Sequence, residues 1–292
     1  MCDESAIDDM IEFARRTDGL SRRRFGALSL GAGITMMLPP VGAAAQVRES
    51  DVEIRTPDGT ADAYFVHPAS GRHPGVLVWP DALGLRPTFR QMGRRLAEAG
   101  YSVLVPNQFY RTRTAPVVPP GASFEDPETR KAIMAMMGEL NATRQVIDAR
   151  AFVGFLDSQP SVDKARKMAT TGYCMGGPIA MRTAAEFPER IGAAASFHGG
   201  GLVTDKPDSP HLLVPRMKAH FLIAIAENDD QKEPEAKHVL RRAFEAAQLP
   251  AEIEVYEGTM HGWCPPDMPA YNEAQAEKAW ARMLALFEEA LA

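Results

Sequence analysis

Three side chains in this sequence have the types and chain order needed for nucleophilic attack on a carbonyl: Cys174, Asp229 and His261. Cys174 is the centre of Gly172-Tyr173-Cys174-Met175-Gly176, a G-x-C-x-G pattern. Glycines on either side let a strand and a helix pass close together. The strained turn between them makes the central side chain project from the sheet edge. A helix starting behind Cys174 points its positive end at the sulfur, favouring a thiolate and later an oxyanion. His261, in Gly258-Thr259-Met260-His261-Gly262-Trp263, is the candidate base. Asp229 is the candidate acid that fixes the imidazole tautomer, with its neighbour Asp230 as the alternative. The N–H of Met175, at the helix start, is the expected first oxyanion donor, and that of Ala82 the second. Each residue also has a plainer reading: a Gly-rich turn with a buried thiol, a helix-capping Asp, a satisfied loop histidine.

The elements that must position these residues are legible as apolar runs. Val52–Arg55 and Ala61–Val66 read as strands around the turn Pro57-Asp58-Gly59. GVLVW (Gly75–Trp79), Tyr101–Val105, Met168–Thr171, Ile191–Phe197, Phe221–Ala226 and Ala251–Tyr256 read as further strands. Helical patterns start at Pro87, run over Glu128–Leu156 with a break at Gly138–Asn141, lead from Gly177 to near Glu186, and cover Glu235–Gln248 and Tyr271–Leu291. Strands alternating with helices at this spacing predict a mostly parallel central sheet with helices on both faces. In such sheets functional residues collect at the C-terminal ends of strands, where Cys174, Asp229 and His261 all fall. His198 also ends a strand, but it lies between nucleophile and acid in the chain, so substrate contact is the functional role open to it. Ile133, Met134, Met136 and Met137 read as core, with a methionine-lined substrate wall as the alternative. His67, His73, His211, His220 and His238 read as surface or loop residues.

The N-terminal part has a different character. Ser21-Arg22-Arg23-Arg24-Phe25 precedes an uncharged apolar run, Gly26–Val41, and then Gly42-Ala43-Ala44-Ala45. A twin-arginine pair, an apolar region and an A-x-A site are the parts of an export signal, expected over residues 1–45. The run is too short and too rich in Gly and Pro to serve as a permanent membrane anchor. Export would place residues 46–292 in the periplasm or outside the cell as a single domain. Loss of the signal changes the net charge only from −6 to −5. A mildly acidic surface without a Lys/Arg cluster argues against nucleic acid as a partner. The signal also carries Cys2, leaving Cys174 and Cys264, too few for a disulfide framework and without metal-type spacing. A Cys174–Cys264 disulfide is the competing use of the two thiols.

With these residues in view, the chain resembles the dienelactone hydrolase family of α/β-hydrolases over roughly Val52 to Leu291. The resemblance rests on Gly172-Tyr173-Cys174-Met175-Gly176-Gly177, the acid near Asp229, and His261-Gly262. It implies an α/β-hydrolase fold and further roles. Asp81, in Trp79-Pro80-Asp81-Ala82-Leu83-Gly84, matches the family's acidic residue that contacts the resting thiol, where Glu is more usual. Arg111, after Pro106-Asn107-Gln108-Phe109-Tyr110 and with Arg113 nearby, matches the arginine that binds a substrate carboxylate. Trp263 is placed with the substrate-binding residues. Gly262 stands where Ser is frequent, and Ala226 where the acid motif usually begins with Gly.

The resemblance implies hydrolysis of small esters or lactones, carboxylate-bearing ones among them, through an acyl-enzyme, with no cofactor and no metal. The twin-arginine export machinery would be the partner of the precursor. The alternative is a ligand-binding or thiol-redox protein on the same scaffold.

Overall fold

The computed structural model describes residues 8, 9, 11–13, 45–119, 121, 122 and 124–292. The expected export signal, with its Arg22–Arg23 pair and apolar run, falls outside the described residues apart from residues 8, 9, 11–13 and 45. Among the described residues no helix is long and apolar enough to cross a membrane.

Eight strands form one sheet in the order β1-β2-β4-β3-β5-β6-β7-β8. Two long strands, β1 (Val47–Thr56) and β2 (Gly59–Pro68), make an antiparallel hairpin at one edge. Gly59 closes the turn at φ 143°, a backbone angle that residues with a Cβ rarely adopt. The other six strands are mutually parallel: β3 (Gly75–Trp79), β4 (Ser102–Pro106), β5 (Met168–Tyr173), β6 (Ile191–Phe197), β7 (His220–Ala226) and β8 (Ala251–Tyr256).

Alternation along each strand sends side chains to two separate cores. Leu77, Trp79, Leu104 and Ile223 face one core, which is completed by helices α3 (Ala142–Ser158), α4 (Gly176–Glu186) and α6 (Ala236–Ala246). Val76, Val78, Val103 and Leu222 face the other, covered by α1 (Pro87–Glu98) and α7 (Glu273–Ala290). A sheet buried on both faces explains why β3, β4, β5 and β6 are buried at every position.

The expected break in the long helical stretch is real. Helix α2 (Pro127–Glu139) stops at Leu140, and Asn141 then caps α3 by accepting the Arg144 N–H at 3.0 Å. Directly after β7, residues Glu227–Lys232 form a short helix, α5. Three carboxylates in its first turn favour that helix start electrostatically.

Candidate active site

Strand β5 ends at Tyr173 and α4 begins at Gly176, so the chain reverses within Cys174 and Met175. Cys174 takes φ 54°, in the left-handed region that a side-chain-bearing residue enters only when its surroundings impose it. The flanking glycines make the turn possible. A Cβ at Gly172 would overlap the Gly176 carbonyl, and one at Gly176 would overlap the Trp79 carbonyl. The Cys174 N–H is held by Phe197 O at 3.0 Å and by His198 Nδ1 at 3.1 Å.

His261 arrives on the loop after β8. Its N–H donates to Asn228 Oδ1 at 2.8 Å, and its Nδ1 lies 2.8 Å from Asp229 Oδ2. A carboxylate can only accept there, so Nδ1 carries the proton and Nε2 keeps its lone pair. The loop carrying His261 is tied to α5: Thr259 Oγ1 accepts the Glu227 N–H, and Glu227 Oε2 accepts the Gly258 N–H. Asp230 faces away and binds Lys237 Nζ at 2.6 and 2.7 Å. Asp229 is therefore the carboxylate that meets the imidazole.

Cys174 and His261 line one small cavity together with Asp81, Ala82, Phe124 and His198. Ala82, the expected second oxyanion donor, thus shares a cavity with Cys174. Met175 stands at the N-terminal edge of α4, where the first N–H groups have no intrahelical acceptor. Among the described residues no group of three or more His, Cys, Asp or Glu side chains is placed to hold a metal ion.

The residues carried over from the family resemblance are placed differently from one another. Asp81 lines the cavity, but its carboxylate is clamped by Arg86: Oδ1 accepts from Nη1 at 2.6 Å and Oδ2 from Nη2 at 2.9 Å. Arg86 in turn donates to Asp267 through Nε and Nη2. Burial alone would depress the Arg86 pKa, but these two carboxylates more than offset it and raise it.

Arg111 is not brought to the cavity. Its guanidinium grips both oxygens of the fully buried Asp148 carboxylate at 2.7 and 2.8 Å, pairs with Asp58, and stacks over the Tyr110 ring. A cation so satisfied has little left for a ligand. Trp263 is not among the cavity-lining residues either; it is fully buried and stacked on Tyr256, ring centroids 4.7 Å apart.

Cys264 is a free, buried thiol, so the Cys174–Cys264 disulfide is not formed. It packs in the core on the far face of the sheet from that of Cys174, and burial pushes its thiol pKa well up. An un-ionised thiol away from the cavity makes a poor redox partner.

A larger cleft of about 650 Å³ opens beside the imidazole, with Asp229 and His261 on one wall. Met134 and Met137 line it, so two of the four apolar residues assigned to core serve the methionine-wall reading. Arg182, Lys206 and Lys232 contribute its cations. Residues from ahead of the twin-arginine pair reach this region too. Asp9 Oδ2 accepts from Asn228 Nδ2 at 2.9 Å and pairs with Lys232 at 2.6 Å, and Asp8 pairs with Arg130 at 2.7 Å.

Sequence reasoning missed Arg86, Asn228 and Arg182. Arg86 and Arg182 sit in ordinary-looking helical surroundings; only long-range packing marks them. Asn228 did carry a signal, as the residue directly before the paired aspartates.

The sequence profile of the family described as "Dienelactone hydrolase family" matches residues 61–291. The chain belongs to that family. Family relatives include a Salmonella typhi protein provisionally named a carboxymethylenebutenolidase, 28% identical over 255 residues, covering 81% of this chain and 90% of the relative. A carboxymethylenebutenolidase of Rhodococcus opacus is 26% identical over 260 residues, covering 87% and 94%. Among solved structures, a provisionally named dienelactone hydrolase from Klebsiella pneumoniae superposes with a TM-score of 0.71 at 25% identity, covering 84% of this chain and 99% of that one. Family membership makes the protein a hydrolase of the dienelactone hydrolase kind on an α/β-hydrolase fold.

Proposed function

We propose that this family member hydrolyses small esters or lactones by a Cys174–His261–Asp229 triad through a thioester intermediate. The observation that carries the reading is the 2.8 Å contact of His261 Nδ1 with Asp229, made by an imidazole that shares a cavity with an elbow cysteine at φ 54°.

His261 Nε2 takes the Cys174 proton, and the thiolate attacks the carbonyl carbon. Asp229 stabilises the resulting imidazolium without itself being protonated. The N–H groups of Met175 and Ala82 meet the tetrahedral oxyanion. Its collapse breaks the C–O bond, and the departing alkoxide takes the proton from His261. In a lactone that alkoxide stays tethered to the acyl group. A water deprotonated by His261 then attacks the thioester, releasing the acid and returning the proton to Cys174.

The cleft favours substrates that carry a carboxylate. Among the described residues the hydrogen-bond partners of Arg182 are neutral, with Nη2 on Asp208 O at 2.7 Å and Nη1 on Pro178 O at 3.4 Å, while the Asp208 carboxylate stands off at 4.0 Å. Burial holds its pKa below the usual arginine range, as expected of an under-compensated cation. An incoming carboxylate would complete its coordination bidentately. This moves the anion-binding role from Arg111 to Arg182.

Arg22-Arg23 and the apolar run after them support twin-arginine export and a periplasmic or secreted site of action. Replacing both arginines by lysine should hold the protein in the cytoplasmic fraction; unchanged export would remove that part of the reading. For the chemistry, Cys174→Ala should abolish turnover of p-nitrophenyl acetate. Undiminished activity would take the thiol out of the mechanism.

A further inference from the structure

His198 directly follows β6 and is the third residue of the buried group formed with Cys174 and His261. Its backbone is turned to φ 40°, its N–H is anchored on Ala224 O of β7 at 2.8 Å, and its side chain reaches back to the elbow. We propose that His198 is a positioning residue for the nucleophile: its Nδ1 accepts the Cys174 amide proton and holds the elbow in the conformation that presents the thiol to His261. This rests on Cys174 being the nucleophile.

Two residues in the left-handed region face each other across the β5–β6 pair, a conformation that persists only where the surroundings impose it. The Cys174 N–H is shared between Phe197 O and His198 Nδ1, at 3.0 and 3.1 Å. The first bond merely extends the strand pairing, whereas the second needs a side-chain acceptor at one defined place. Acceptance at Nδ1 puts the His198 proton on Nε2. That atom is buried and has no hydrogen-bond partner among the described residues. An unmet donor is a costly way to fill space, and an apolar residue of similar size would avoid it. The imidazole is therefore kept for what Nδ1 does.

The surroundings hold it neutral. The His261 ring lies edge-on at 5.0 Å between centroids, Tyr173 at 6.1 Å and Trp263 at 6.3 Å, with Cys174 alongside. Burial, and then the neighbouring His261, depress its pKa well below the ordinary histidine value. A neutral neighbour adds no repulsion when His261 becomes an imidazolium during the reaction.

The test separates the two nitrogens. His198→Asn keeps an oxygen acceptor near the Nδ1 position, whereas His198→Gln carries its polar atoms out to the Nε2 position. The readouts are kcat and KM on p-nitrophenyl acetate. In parallel, the iodoacetamide alkylation rate of the Cys174 peptide is followed by mass spectrometry on reduced full-length protein. His198→Asn should stay within about threefold of the parent, while His198→Gln should lose about tenfold in both kcat and alkylation rate at unchanged KM. The acid limb of the pH–rate profile should be the same in the parent and His198→Asn. Should either variant fail to fold by circular dichroism, His198→Phe replaces it and must lose as much as His198→Gln is expected to. Equal behaviour of Asn and Gln, whether both active or both impaired, would overturn the proposal. Alkylation reads the thiol without turnover, so this outcome is distinct from a Cys174→Ala variant that stays active.

Discussion

His261 Nδ1 stands 2.8 Å from Asp229 Oδ2, while the adjacent Asp230 is turned onto Lys237. Consecutive positions on the short helix α5, about 100° apart around its axis, thus send two chemically identical side chains to different partners. Asp229→Asn would offer an amide that can donate to Nδ1 and so favour the wrong tautomer. It should lower kcat by about a thousandfold or more. Asp230→Asn should leave kcat within about threefold, since it disturbs only a partly exposed ion pair. Steady-state kinetics on the two variants decides the assignment, and similar losses in both would refute it.

Arg111 and Arg182 should respond to substitution in opposite ways. Asp148 is fully buried, and Arg111 supplies both hydrogen bonds to its carboxylate oxygens apart from that of Tyr110. Arg111→Ala therefore strands a buried charge and should cost about 3–5 kcal/mol of stability by urea unfolding. It should leave the preference for carboxylate-bearing esters unchanged. Arg182→Ala should do the reverse, raising KM for a carboxylate-bearing ester roughly tenfold over its neutral analogue with little loss of stability. An Arg111 variant that loses that preference while remaining stable would restore the role the family resemblance implied.

Arg86 offers a cleaner measure of a buried ion pair, because both Asp81 and Asp267 depend on it. Arg86→Met should destabilise the protein by about 3–5 kcal/mol, since it leaves the Asp81 carboxylate buried beside the cavity. Adding Asp81→Asn should recover part of that loss. A double variant no more stable than Arg86→Met would show that the Asp81–Arg86 pair is not what holds the loop.

What could be foreseen from sequence divides along the range of the interaction. The elbow was legible because its cause is local: Gly172 and Gly176 flank Cys174 at fixed spacing, and any other residue there would collide with a backbone carbonyl. The strand ends bearing Asp229 and His261 were legible because β7 carries the apolar run Phe221–Ala226 and β8 alternates apolar with acidic residues, as a partly exposed strand does. The partners of Arg86 and Arg111 across the fold were not, because those contacts join segments remote in sequence. Arg86 meets Asp267 across 181 residues, and Arg111 meets Asp148 across 37. A resemblance can place an arginine in a loop. It cannot say that a carboxylate on α3 has already claimed it.

His198 gives the pH dependence a definite sign. In the unfolded chain it titrates near the ordinary value of 6.5, whereas in the native state burial and His261 hold its pKa well below that. Between those two values the unfolded chain binds a proton that the native state does not, so stability falls as pH drops. Above about 6.5 both states are neutral at this residue and the contribution is flat. Urea unfolding free energies measured from pH 8 down to pH 5 should therefore decline more steeply for the parent than for His198→Asn, by up to about 1.4 kcal/mol per pH unit in the acid range. Comparing parent with variant isolates the contribution of His198 from those of the other six histidines of the chain. Parallel curves would mean that His198 takes up its proton in the native state as readily as in the unfolded one, which an imidazole bonded to the Cys174 amide and walled in by His261 could not do.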